Sequence, residues 1–152
     1  MRINRDYLGC FGKLKKGNKK QMVVIHHTVT RSPSATRRAL KAKGCSTHFE
    51  VGTDGTIYQY AELDEICAHC GSCNFQSIGV DLTHMTDRPF PEAQLQAAHE
   101  LFVYLAAKLN LPLVCYESLP RGFYFHRAIG QTVCPNNLPI SVVEGENYDS
   151  NK

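Results

Sequence analysis

Hydrophobic residues recur along this chain in two rhythms. Met22-Val23-Val24-Ile25 and Ser77-Ile78-Gly79-Val80-Asp81-Leu82 are short, largely apolar runs with β-branched residues, the pattern of strands buried on both faces. His48 to Val51 and Thr56 to Tyr60 alternate instead, on either side of Thr53-Asp54-Gly55. An Asp-Gly step between two alternating runs predicts a hairpin. Helical spacing is clearest from Pro91 to Leu109, where Leu95, Ala98, Leu101, Phe102, Leu105 and Leu109 share one face. Pro91 suits the first turn of that helix and Pro112 closes the segment. Ser34 to Lys43 predicts a shorter helix with a serine cap, Leu40 as its apolar anchor and Gly44 as its stop. Phe123 to Phe125 predicts a short strand running into His126, and Ala61 to Gln76, poor in hydrophobes, reads as a loop.

Strands and helices therefore alternate around one hairpin. This predicts an α/β fold in a single domain, a central mixed β-sheet flanked by helices. Residues 1–20 are rich in Lys, Gly and Asn without periodicity and are expected to form an N-terminal extension, ordered in part through Tyr7, Leu8 and Phe11. Residues 21–143 are expected to be the domain, and residues 144–152 a polar, acidic, frayed tail. A length of 152 residues suits one domain, and a chain of this size buries about 70% of its unfolded surface.

Composition removes some function classes. At 43% hydrophobic and 20% charged residues the chain is ordinary for a soluble protein. Its longest apolar run, Leu101 to Ala107, is seven residues, far short of the roughly 18 of a membrane span. Met1 to Lys20 is basic but has no apolar stretch of the secretory kind. Synthesis in the cytoplasm is expected, with some other route carrying the protein to a target outside. A net charge of +3, with no basic stripe interleaved with aromatics, argues against nucleic acid. A monomer is expected. Seven cysteines, an odd number, exclude a complete disulfide framework within the chain. Without a signal peptide, free thiols and metal ligation account for them better.

Candidate chemistry sits at His26, His126, Cys134 and Asp81. His26 directly follows a buried strand, whose end is a rigid mount for a ligand. His126 precedes Cys134 by eight positions. Imidazole nitrogen and thiolate sulfur both bind zinc, and three protein ligands leave one tetrahedral position open. Asp81 lies inside an apolar strand, where a carboxylate is costly unless it is paired or functional; pairing with an arginine or a backbone donor is the alternative reading. His27 adjoins His26, but alternation along a strand end turns the two side chains to opposite faces, so one ion does not take both. Cys67, Cys70 and Cys73, with His69 among them and Cys45 as a distant fourth ligand, have the spacing of a structural zinc site. Free thiols or an oxidised pair are the alternative there.

Several segments, taken in order from about Gln21 to Pro139, resemble the type 2 N-acetylmuramoyl-L-alanine amidases. That family includes phage lysozymes, peptidoglycan recognition proteins and muropeptide-recycling amidases. Val23-Val24-Ile25-His26-His27-Thr28 resembles its first ligand segment; Phe125-His126-Arg127 and Thr132-Val133-Cys134-Pro135 resemble the segment with the second and third ligands. Gly52-Thr53-Asp54-Gly55-Thr56-Ile57-Tyr58 resembles the family hairpin, and Ala68-His69, Asn74 and Ser77-Ile78-Gly79-Val80 the stretch bordering the substrate cleft.

The resemblance implies zinc on His26, His126 and Cys134, and hydrolysis of the bond between N-acetylmuramic acid and L-alanine in peptidoglycan, in a lytic, endolysin-like and antimicrobial role. A general acid/base is implied at a tyrosine before the hairpin or at a glutamate in the Ser-Ile-Gly strand. Here those positions carry Thr47 and Asp81, which points to Asp81 as the base and later the acid. A lysine found in some members two residues before the third ligand is Thr132 here. Thr47, His69, Asn74 and Thr132 are candidate substrate contacts, with loop hydrogen bonding as the alternative for His69 and Asn74. The main rival function is a muropeptide-binding protein that does not cleave.

Overall fold

The run from Met22 to His27 forms the strand at the centre of the ligand end of the sheet. In the computed structural model, which describes residues 1–116 and 121–145, the chain places its elements as β1 (Ile3–Asn4), β2 (Met22–His27), α1 (Pro33–Lys43), β3 (Phe49–Val51), β4 (Ile57–Gln59), β5 (Ser77–Leu82), α2 (Glu92–Leu109), β6 (Gly122–Phe125) and α3 (Ser141–Glu144). They build one mixed six-stranded sheet in the order β1-β4-β3-β5-β2-β6. β3, β5, β2 and β6 run parallel. β4 turns back antiparallel to β3 through the expected hairpin, and β1 joins β4 in parallel at the edge. Gly55 takes φ 86° at the turn, a conformation that costs glycine nothing.

Each sheet face has its own cover. Val23 and Ile25 of β2, Ile78, Val80 and Leu82 of β5, Phe49 and Val51 of β3, and Phe123 and Phe125 of β6 pack with Ala98, Leu101, Phe102 and Leu105 of α2 in the main core. Leu95 and Leu109 flank it, so the apolar stripe read from spacing is the stripe that is buried. Each such side chain, once fully buried, contributes roughly 1.5–3 kcal/mol. Gln94 fixes the start of α2 to the sheet, its Nε2 donating to Val51 O at 3.0 Å and Thr83 O at 2.7 Å. The opposite face carries Met22, Val24 and Tyr124 in a smaller apolar cluster, and with them the polar residues of the next section.

Several boundaries differ from the sequence pattern. The cap of α1 is Ser32, whose Oγ accepts from Ala35 N, and not Ser34. Pro33 occupies the first helical position, where its missing N–H costs nothing, and this shifts the cap two residues back. Gly71–Gln76, inside the expected loop, winds as a 3-10 turn. β1 and α3 are too short for a periodic signal. Residues 1–20 hold the rest by particular contacts: Arg37 lies 3.6 Å over the Tyr7 ring, and Phe11 meets Tyr60 edge-on. Of the expected polar tail, Glu144 and Gly145 are described and residues 146–152 lie outside the described residues.

Candidate metal centre

Parallel strands end together, and ligands collect at their carboxyl ends. In the β2–β5 register His26 stands beside Asp81. In the β2–β6 register Ile25 stands beside Phe125, which brings His126 next to His26. Cys134 returns over the same end: its Sγ lies 3.2 Å from His27 N, which donates to it. The segment is held by Arg127 N donating to Cys134 O at 2.8 Å and by Cys134 N donating to Thr132 Oγ1 at 3.1 Å.

His26 Nδ1 and His126 Nδ1 are 3.2 Å apart. One ring nitrogen of each of these histidines and Cys134 Sγ lie within 4.8 Å of one another, the only such grouping of His, Cys, Asp or Glu among the described residues. Zinc–nitrogen bonds of about 2.0–2.1 Å in a tetrahedron give an N···N edge of about 3.3 Å. Donor chemistry and spacing thus fit zinc. His27 turns to the other face, its ring 5.7 Å from that of His84, as alternation requires.

Burial sets the charge states. It holds His26 well below the usual histidine range, with His69, His126 and His27 adding to the effect. His126 is lowered by burial as well. Neutral imidazole is the form that binds metal. Burial pushes the Cys134 thiol up to about 12; a cation at this point reverses that, because the coordinating thiol is deprotonated. Asp81 is pushed up to about 7, by burial first and by Glu50 second, against the opposing hydrogen bond from Thr47.

A cleft of about 330 Å³ opens here, lined among others by His26, His69, Asp81, His126, Thr132 and Cys134. Val29, also on its wall, has φ 53°, an uncommon conformation for a β-branched residue that clusters at functional sites. The remaining candidates act from behind the wall. Thr47 is 1% exposed and gives its hydroxyl to Asp81 Oδ1 at 3.1 Å. Asn74 Oδ1 accepts from His69 N at 3.0 Å and Cys70 N at 2.9 Å, holding the loop. Cys67, Cys70 and Cys73 are free thiols and form no ligand group of their own among the described residues. Burial pushes Cys67 and Cys70 up to about 12.

Two residues of this face escaped the sequence reading. Glu50 is fully buried and accepts from Thr36 Oγ1 at 2.7 Å, Thr83 Oγ1 at 2.6 Å and Tyr60 Oη at 2.7 Å. Its signal was present, since a carboxylate between Phe49 and Val51 raises the same question as Asp81. Ser77 Oγ lies 3.0 Å from His69 Nε2; a serine opening a strand carries no comparable signal.

The family model described as N-acetylmuramoyl-L-alanine amidase matches residues 16–137. No curated protein matches the chain in sequence. Among solved structures the chain is similar to the N-acetylmuramoyl-L-alanine amidase LysC from Clostridium intestinale URNW, at 23% identity and TM-score 0.81, covering 97% of this chain and 98% of that one. It is similar also to the Ph2119 endolysin from Thermus scotoductus MAT2119 bacteriophage Ph2119, at 20% identity and TM-score 0.74, covering 95% and 98%. A third is the ectodomain complex of peptidoglycan recognition proteins LCa and LCx with tracheal cytotoxin bound, at 22% identity and TM-score 0.69, covering 96% of each chain. At these identities the likeness is one of fold.

Proposed function

The chain belongs to the N-acetylmuramoyl-L-alanine amidase family, and from that premise we propose that it hydrolyses the amide between N-acetylmuramic acid and L-alanine in peptidoglycan, using zinc held by His26, His126 and Cys134. The observation that carries this reading is the pair of Nδ1 atoms 3.2 Å apart, with Cys134 Sγ beside them, at the open end of three parallel strands. Bound there, zinc supplies Lewis acidity, which makes water nucleophilic near pH 7 and draws charge from a carbonyl.

The chain's own residues do the rest. Asp81 takes a proton from the attacking water and returns it to the leaving L-alanine nitrogen. A carboxyl group near pH 7 is suited to both directions. Thr47 orients it through the bond to Oδ1. Thr132 Oγ1 accepts from Cys134 N, so its own proton remains available for a substrate oxygen. A complete set of ligand positions favours cleavage over binding alone. The lytic, endolysin-like role belongs to the same proposal, with release to the wall by a separate route.

Purified protein is expected to carry about one zinc per chain. It should release free amino termini, and no reducing sugar, from peptidoglycan. Zinc-replete protein that binds muropeptides but releases no amino termini from walls of several chemotypes sinks the hydrolase and leaves the binding protein.

A further inference from the structure

Beneath His26 lies a chain of polar groups whose hydrogen-bond direction can be read from one end. Ser77 Oγ is 2.7 Å from the carbonyl oxygen of Cys73. A carbonyl only accepts, so the single serine proton points there. Toward His69 Nε2, at 3.0 Å, Ser77 Oγ is then an acceptor, and Nε2 carries the N–H. Cys70 Sγ, 3.3 Å away, can fill the second acceptor site of the same oxygen.

His69 is half-buried, and with its N–H committed to Ser77 through Nε2 the neutral ring keeps a lone pair on Nδ1. That Nδ1 lies 2.9 Å from His26 Nε2, which must donate to it. The lone pair of His26 is thereby left on Nδ1, the nitrogen that faces His126 Nδ1 at 3.2 Å. The ring of His69 is itself fixed. Asn74 holds its backbone, and Gly79 makes room beneath it, because a Cβ there would stand 2.8 Å from His69 Cγ and Nδ1.

We propose that His69 and Ser77 are positioning residues: through the relay Cys73 C=O, Ser77 Oγ, His69, His26 they hold His26 in its Nε2–H tautomer and so present Nδ1 to the metal. The proposal rests on the zinc reading above and gives His69 a role other than substrate contact. The partner of the non-coordinating imidazole nitrogen fixes tautomer and ring orientation, and its loss typically weakens metal binding 10–100-fold.

The first test needs no metal and no variant. Long-range nitrogen–proton NMR on the metal-free wild type is expected to show His26 with its proton on Nε2. A proton on Nδ1, or a mixture, overturns the relay. The second is competitive zinc titration. His69→Ala is expected to bind zinc about 10–100-fold more weakly, and His69→Asn, whose Oδ1 can replace the lost acceptor, to recover most of that loss. Wild-type zinc affinity in His69→Ala, with only KM altered, makes His69 a substrate contact and overturns the proposal. If Cys134→Ser leaves zinc binding unchanged, the zinc reading fails by itself, while the tautomer in the metal-free protein still decides the relay.

Discussion

Glu50 and Asp81 are register partners on adjacent parallel strands, two buried carboxylates side by side under the cleft. Three hydroxyls satisfy Glu50, while Thr47 serves Asp81. Like charges so placed raise one another's pKa. Asp81, which borders the cleft, stands at about 7, a value suited to the base-then-acid role proposed for it.

Glu50→Gln removes the charge beside Asp81. The pKa of Asp81 then falls, and the acidic limb of the kcat/KM profile moves to lower pH. The amide cannot accept from all three hydroxyls as the carboxylate does, so a cost of about 1–3 kcal/mol is expected in chemical denaturation. An unmoved acidic limb in folded protein would separate Glu50 from the chemistry.

Asp81→Asn is expected to lower turnover by about 10²–10⁴-fold while zinc content stays the same. It should also change stability in a pH-dependent way. The folded pKa of about 7 lies above the ordinary 3.8, so the fold favours the protonated carboxyl, and this contribution is lost as pH rises through about 7. In metal-free protein the variant should melt higher than wild type at pH 8, with the gap closing toward pH 4. Parallel melting curves across that range would refute the shift.

On the acid side the histidines decide. His48 uses both ring nitrogens in the neutral form, Nδ1 accepting from Gly79 N at 3.0 Å and Nε2 facing Glu65 O at 2.7 Å. Burial lowers His48 to about 4 and His69 to about 3, from 6.5. Depressed values contribute stability that is full above 6.5 and is lost as pH falls through about 4 and 3. Denaturation midpoints of the metal-free protein should therefore decline steadily below pH 6.5.

Removing a ligand should uncouple metal from fold. Zinc at about 1,000 times its Kd stabilises a folded site by about 4 kcal/mol, so the wild type should melt higher with zinc than with chelator. Cys134→Ser and His126→Ala should show little of that rise and no release of amino termini. A rise that persists in both variants places the metal elsewhere.

Gly79→Ala puts a methyl group 2.8 Å from both His69 and Thr47 Oγ1. Overpacking of this kind costs about 1–3 kcal/mol. Because His69 and Thr47 are displaced together, zinc affinity and turnover should both fall. A variant that keeps both would show that the neighbours can shift without consequence.

Periodicity alone carried the α/β class, the hairpin, the buried stripe of α2 and the flanking strands, because burial of one face is written into residues two or three to four apart. His26, His126 and Cys134 were legible one by one, as ligand types at a strand end and in a family-like segment. What they face was not. The relay from Ser77 through His69 to His26, the pairing of Glu50 with Asp81, and the turning of Thr47 onto Asp81 all depend on which strands lie side by side and in what register. Register is settled by packing between segments tens of residues apart. Proton positions and carboxyl pKa values follow from those cross-strand neighbours, so only the tertiary structure could decide them.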